Sequence, residues 1–215
     1  MNIHAIPCGP IATNSYVAYH SRQALLIDPA EFRPIQSYLE QKQLAPFAIL
    51  LTHGHFDHIL ALTDFRTHYP DLPIYIHPED ECLLFDSQAN GSSAFVVPYS
   101  LSASDRVCLY DKSMQTPLGE VEIICVPGHT PGSVALKLDK HIFTGDFIFK
   151  ESIGRTDFSR GSPRDMQDSL KQFVQRFQDE AQSILLYPGH GEGTILAHEL
   201  QFNPFLDRIT KHMGQ

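Results

Sequence analysis

The chain has 215 residues, enough for one domain with a sizeable core and too few for two comfortable ones. An apolar share of 42% argues against wholesale disorder. A net charge of −9 argues against a broad nucleic-acid footprint, which needs clustered Lys and Arg. Cys8, Cys82, Cys108 and Cys125 are scattered, with no C-x-x-C, so neither a disulfide framework nor a zinc finger is expected. Met1 to Pro7 lacks the basic and apolar regions of a signal peptide. No run approaches the roughly 18–20 apolar residues of a membrane span. A soluble, cytoplasmic protein with neither nucleic acid nor membrane as partner is the expectation.

Residues 14–19 and 23–27 read as two short strands joined by His20-Ser21-Arg22, the second ending at Asp28-Pro29. Phe32 to Gln43 has helical spacing, and Leu44-Ala45-Pro46 ends it before a strand over 47–51. Asp57 through Tyr69 reads as one helix, stopped by Pro70 and Pro73 ahead of a strand at 74–76. Pro78 opens a helix to about Phe85. Residues 86–104 are rich in Ser yet carry Phe95, Val96, Val97 and Tyr99, which favours a loop at a site mouth over a linker. Strands follow over 106–110, 120–126, 133–138 and 141–144. Ser162 caps a helix with Pro163 at its first position, and Met166, Leu170, Phe173, Val174 and Phe177 form its core stripe. A strand over 183–187 and a helix over about 194–202 complete the reading, which is α/β throughout.

The chemistry concentrates in Thr52-His53-Gly54-His55-Phe56-Asp57-His58, directly after the apolar run 47–51. Imidazole and carboxylate are the donors that borderline divalent metals prefer. His53 and His55 alternate in an extended turn and so point to one side. The stretch is similar to the H-x-H-x-D-H signature of the metallo-β-lactamase superfamily. That signature continues in Pro127-Gly128-His129-Thr130, Thr144-Gly145-Asp146 and Pro188-Gly189-His190-Gly191.

The resemblance implies a four-layer αββα sandwich of two mixed sheets. It implies a first metal site at His53, His55 and His129, and a second at Asp57, His58 and His190. Asp146 would bridge them, making Asp57 and Asp146 the candidate catalytic carboxylates. Two divalent ions are expected, with zinc favoured and iron or manganese acceptable. Such ions lower the pKa of bound water to about 7, giving a hydroxide nucleophile. Asp28 would support the metal site from behind the ligands, although a plain turn aspartate fits its position equally well. His4, His20, His68, His77, His141, His198 and His212 read as surface or structural, with His141 worth locating because its strand leads to Asp146.

Gly154-Arg155-Thr156-Asp157-Phe158 is similar to the corresponding loop of glyoxalase II-like hydrolases, as is the ending around Asn203-Pro204-Phe205. The implied activity is hydrolysis of a small acyl thioester of the hydroxyacylglutathione type. Arg155 and Asp157 are expected to pair and brace their loop, with substrate contact by Arg155 the lesser reading. Two-domain glyoxalase II enzymes add a helical domain that holds glutathione. Here 25 residues follow His190, with only Arg208 and Lys211 basic apart from histidine, so weak glutathione recognition is expected. The G-R-T-D-F loop is shared with persulfide dioxygenases, which would use one iron at His53, His129 and Asp146. Lactone hydrolysis by the same nucleophile is the other alternative.

Overall fold

The computed structural model describes residues 1–94 and 97–213, with side chains through residue 209. Phe95 and Val96 of the expected mouth loop, and the side chains of Lys211 and His212, lie outside the described residues. The first sheet is built from β1 (Asn2–Cys8), β2 (Thr13–His20), β3 (Gln23–Ile27), β4 (Ala45–Leu50), β5 (Ile74–Ile76) and β6 (Cys108–Leu109), in that spatial order. β1 to β3 are antiparallel, and β3 to β6 are parallel. The second sheet begins with β7 (Ser113–Thr116), β8 (Gly119–Cys125), β9 (Val134–Leu138) and β10 (His141–Gly145), all antiparallel. A short ribbon of β11 (Ile148–Phe149) and β12 (Ser152–Ile153) follows. β13 (Leu185–Pro188) then pairs parallel with β10, and β14 (Thr194–Ile195) closes the sheet's edge.

Strand alternation explains why two sheets and two helical layers come together. In β3, Ala24 and Leu26 face one core and Leu25 and Ile27 face another, as a period of two requires. The first core holds Ile35 and Leu39 of α1 (Phe32–Lys42) and Leu62 and Phe65, outside the first sheet. The second lies between the sheets, where Leu25, Ile27, Ala48 and Leu50 meet Val121, Leu136 and Phe143. Outside the second sheet, Ala135, Ile142 and Leu186 meet the later helices. The fold is therefore the four-layer αββα sandwich that the family resemblance implied.

Two helical expectations need correction. Asp57 to Tyr69 is not one helix but α2 (Phe56–Ile59) and α3 (Leu62–His68). The break comes where the Ala61 amide donates to the Pro29 carbonyl at 3.1 Å instead of continuing the helical ladder. Pro78–Leu84 winds as a 3-10 helix rather than an α-helix. Its three-residue turn stacks Asp80 and Leu83 on one buried side.

Other expectations were met or were missing. Ser162 caps α4 (Pro163–Phe177), its Oγ accepting from the Asp165 amide at 3.2 Å. β1, β7 and the β11–β12 ribbon carry too little apolar alternation to be read from sequence. The expected helix over 194–202 is β14 followed by α5 (Leu196–Phe202), and α6 (Pro204–Met213) was not foreseen. Among the described residues, no helix is long and apolar enough to cross a membrane.

Phe173 anchors the outer layer of α4 and is edge-on to Phe147 with ring centroids 5.4 Å apart. Replacing it with Ala should cost about 3–5 kcal/mol, since the surrounding core cannot collapse onto the cavity. Urea unfolding with an unchanged m-value and a lowered midpoint is the expected readout.

Candidate metal centre

The donors are delivered from strand ends. β4 ends at Leu50 and feeds Thr52-His53; β10 ends at Gly145 and feeds Asp146; β13 ends at Pro188 and feeds His190. Because β10 and β13 are parallel, both release their side chains at the same edge of the sheet, where α/β sites commonly form. The two sheets are joined at this edge by the Val134 amide, which donates to the Thr52 carbonyl at 2.8 Å. Gly189 has to be glycine: a Cβ there would collide with Asp146 Oδ1 and come within 2.7 Å of His58 Cε1.

All seven sequence-predicted donors come together. His53, His55 and His129 form one group with ligand atoms within 4.8 Å of one another, and Asp57, His58 and His190 form another. Asp146 lies between them. Its Oδ2 is 3.4 Å from His129 Nε2, and its Oδ1 is 3.4 Å from His58 Nε2 and 3.7 Å from His190 Nε2. One carboxylate thus faces each group with one oxygen. Within the groups, His55 Nδ1 and His129 Nε2 approach to 2.8 Å, and Asp57 Oδ2 lies 3.2 Å from both His58 and His190.

Neighbouring groups orient three of the imidazoles, those of His53, His58 and His129. His58 Nδ1 bonds to Asp28 Oδ2 at 2.9 Å, and His129 Nδ1 donates to the Arg155 carbonyl at 2.7 Å. His53 Nδ1 bonds to Thr52 Oγ1 at 3.1 Å, while that hydroxyl donates to Asp28 Oδ2 at 2.6 Å. The opposite nitrogens point toward the centre, as metal-binding histidines require. His53 Nε2, His58 Nε2 and Asp146 Oδ1 are buried with no hydrogen-bond partner. Orphaned polar atoms of this kind are costly unless a cation completes them. The donor set therefore fits divalent metal ions.

Asp28 answers the question its sequence position left open. It does sit in a turn after β3, at φ 50°, a left-handed conformation that strains a non-glycine residue. It also orients His58 and takes the Thr52 amide at 2.8 Å, so it supports the centre from behind. Two supporting residues escaped the sequence reading. Thr13 donates its hydroxyl to Asp57 Oδ2 at 2.7 Å. Asp80, fully buried in the 3-10 turn, accepts from the Gly54 amide, the Gly132 amide and the Thr130 hydroxyl at 3.0, 2.8 and 2.7 Å. It ties the loop carrying His53 and His55 to the loop carrying His129. Nothing in one sequence marks either residue, because their partners lie 26 to 52 positions away.

Electrostatics separate the imidazoles into two classes. Burial, followed by His129, pushes His55 down to about 3, and burial with His58 and His129 holds His53 well below its ordinary value. Both are neutral donors at pH 7. Burial opposes protonation of His58 too, but Asp57, Asp28 and Asp146 outweigh it and hold His58 above its ordinary value. Burial likewise opposes ionisation of Asp57, and His58, His190 and Thr13 overcome it, holding that carboxyl low. The carboxylates thus call for positive charge at the second group.

The centre forms the floor of a cleft of about 630 Å³ walled by Ile11, Phe56, Phe149, Ile153 and Phe158. Gln88, Ala89, Asn90, Gly91 and Ala94 line it as well, so this part of the expected mouth loop does reach the site. The side chains of Asn90 and Ser92 stitch the loop in place through hydrogen bonds to Leu83, Ser87 and Tyr99 carbonyls. Arg155 pairs with Asp157 through bonds of 2.6 and 2.8 Å and stacks over Phe158, 4.5 Å from the ring centroid. The expected brace is present, and the loop's direct service to the centre is the Arg155 carbonyl. His141 lies away from the donors, bonded to the Tyr187 hydroxyl at 2.9 Å.

The family description "Metallo-beta-lactamase superfamily" matches residues 8–190. The chain belongs to that superfamily. The chain is 34% identical to "Probable metallo-hydrolase YqgX" of Bacillus subtilis (strain 168), over 96% of this chain and 98% of that protein. It is 32% identical to "Hydroxyacylglutathione hydrolase GloC" of Haemophilus influenzae, over 96% and 99%. Among solved structures, BLEG-1 B3 metallo-beta-lactamase superposes with a TM-score of 0.87 at 34% identity, covering 95% of this chain and 99% of that one. TTHA1623 in a di-iron-bound form superposes at 0.80 with 31% identity, covering 94% and 100%. Fold and His/Asp cluster together are those of a metallo-hydrolase of this superfamily.

Asp146→Ala should deplete metal from both groups, whereas Asp57→Ala should deplete the second more than the first. Elemental analysis of gently purified variants checks this, and full metal content in both would refute the assignment. Asp28→Ala leaves all seven donors in place but frees the His58 ring. It should weaken metal binding by about 10- to 100-fold, read by competition with a chelator.

Proposed function

We propose that this protein hydrolyses small acyl thioesters of the hydroxyacylglutathione type with two divalent metal ions, zinc favoured and iron or manganese acceptable. The observation that carries the reading is the pair of donor groups sharing Asp146 at the floor of an apolar-walled cleft. Similarity to a hydroxyacylglutathione hydrolase over nearly the whole of both chains supports it. So does similarity to a structure with two irons bound.

His53, His55 and His129 would hold one ion and Asp57, His58 and His190 the other, with Asp146 shared. Bound there, the ions supply an acidified water and a Lewis acid for the developing oxyanion. The chain's own residues do the rest. Asp57 and Asp146, held as carboxylates, are the catalytic anions that keep both ions in place. Phe149, Phe158 and Ile11 form the walls against which a short acyl group packs and from which bulk water is excluded. His190, 26% exposed, is the donor most open to the cleft, so the second group is where the scissile bond has freest access. In the overall step, water oxygen bonds to the acyl carbon and the carbon–sulfur bond breaks. The thiolate takes a proton, giving a carboxylic acid and a free thiol.

One substrate panel tests the reading, run at defined metal loading. It contains S-lactoylglutathione, simple acyl thioesters, an acyl-homoserine lactone, a β-lactam and glutathione persulfide with an oxygen electrode. Thioester kcat/KM should exceed that for the lactone and the β-lactam by about tenfold or more. Saturable lactone turnover without thioester cleavage would replace the reading with a lactonase. One iron per chain with oxygen uptake on the persulfide would replace it with a dioxygenase.

A further inference from the structure

Two guanidinium groups line the cleft, and they are not equivalent. Arg155 is committed: its Nε–Nη2 edge is bonded to both oxygens of Asp157, and its plane lies on Phe158. Arg160 is not. It donates from Nη2 to the Glu79 carbonyl at 2.9 Å, its Nε is buried without an acceptor, and it forms no ion pair with any described carboxylate. The nearby Asp80 feels the Arg160 charge, but its oxygens are already taken by Gly54, Thr130 and Gly132. In a chain of net charge −9, an uncommitted arginine facing a cleft stands out.

The position is a built one. The turn carrying Arg160 is closed by the Gly161 amide donating to the Phe158 carbonyl at 2.9 Å. The Ser162 amide donates to the Gly128 carbonyl at 2.8 Å, which fixes this turn to the one carrying His129. The bond to Glu79 holds the other end of the side chain. Arg160 is thereby set at a fixed offset from the metal donors, with N–H groups in a planar fork suited to a carboxylate. Its Nη1 makes no hydrogen bond among the described residues and, unlike Nε, is not a buried orphan, so the Nη1 side of the guanidinium is the part open to a charged acceptor.

We infer that Arg160 anchors a carboxylate carried by the substrate, so that the cleft selects anionic thioesters over neutral ones. The inference rests on the thioester reading for its substrate class. Either end of such a molecule could carry the charge, the acyl group or the thiol. Apart from Arg160 itself, the metal donors and the Asp157-paired Arg155, the polar lining is Gln88, Asn90, Ser152 and Ser159, all uncharged.

The test uses metal-loaded wild-type protein with R160Q and R160K variants, and reads binding as well as turnover. For binding, a series of ω-mercaptocarboxylates from mercaptoacetate to mercaptohexanoate is compared by calorimetry with the matching alkanethiols. Wild-type protein should prefer the acid of best-fitting length by about tenfold, R160Q should abolish that preference, and R160K should restore part of it. For turnover, three thioesters are compared: neutral, carboxylate on the acyl side and carboxylate on the thiol side. R160Q should raise KM for one anionic substrate about tenfold relative to the neutral one, and the affected arm tells which end carries the charge. Equal preference for acid and thiol in the wild type, or an equal loss on all ligands in R160Q, would overturn the inference. If the acid preference and its dependence on Arg160 survive while no thioester is cleaved, the thioester reading fails and the anchor stands.

Discussion

Asp28, Asp57 and Asp146 are carboxylates withdrawn from water, and such withdrawal costs several kcal/mol per ion unless donors or cations compensate. Among the described residues, no Lys or Arg pairs with any of them; every ion-pair partner is a histidine. The histidines are themselves buried and mutually repulsive once charged, which is why His53 and His55 are held neutral. Charge compensation among these residues alone is incomplete, and the orphaned atoms of His53, His58 and Asp146 mark where it fails. The arrangement makes physical sense as a container for divalent cations. Most of the local structure serves to hold these groups against their own electrostatic preference for water.

The sandwich supplies the rigidity for that. Parallel pairing of β10 with β13 puts Asp146 and His190 side by side, and parallel pairing of β3 with β4 does the same for Asp28 and Thr52. The Asp28 carboxylate then bridges to Thr52 and His58, locking the first sheet's contribution into one geometry. Asp80 joins the two ligand loops from below, and close approach at Gly54, where a Cβ would meet Leu83 at 2.5 Å, lets it do so. Imidazoles on rigid strand ends with locked tautomers need little reorganisation on binding metal, which is the property that such a centre requires.

The cleft is built on different principles from its floor. Much of its wall comes from the loop around Gln88–Ala94 and the segment running from β12 to Arg160, beside Phe56 of α2 and Phe149 of β11. Loops tolerate change better than strand ends do, so specificity can vary while the donor set stays fixed. The contrast between Arg155 and Arg160 illustrates this. One stabilises the loop through Asp157, and the other is left available to the cleft, although the two stand five residues apart.

The sequence by itself determined the candidate donors and the mixture of α and β elements, while the layering followed only from the family resemblance. His53, His55, Asp57 and His58 are adjacent in sequence, and His129, Asp146 and His190 each follow a recognisable strand or Pro/Gly turn, so local signals sufficed to name them. The stripe of α4 fixed which face of that helix is buried, because side-chain periodicity is a property of the local backbone. What only the tertiary structure decided is how distant residues share their hydrogen bonds. The helix over 57–69 breaks because Ala61 finds the Pro29 carbonyl, a partner that no local rule supplies. Asp80 and Thr13 serve the centre through contacts with residues far along the chain, and Asp28 turned out to be both turn residue and support. The Arg155–Asp157 pair was expected from the loop motif; that Arg160 reaches the cleft with no carboxylate partner among the described residues is something only the structure shows. Donor identity is written in local order, whereas the completion of each donor's hydrogen bonds depends on which segments the fold brings into contact.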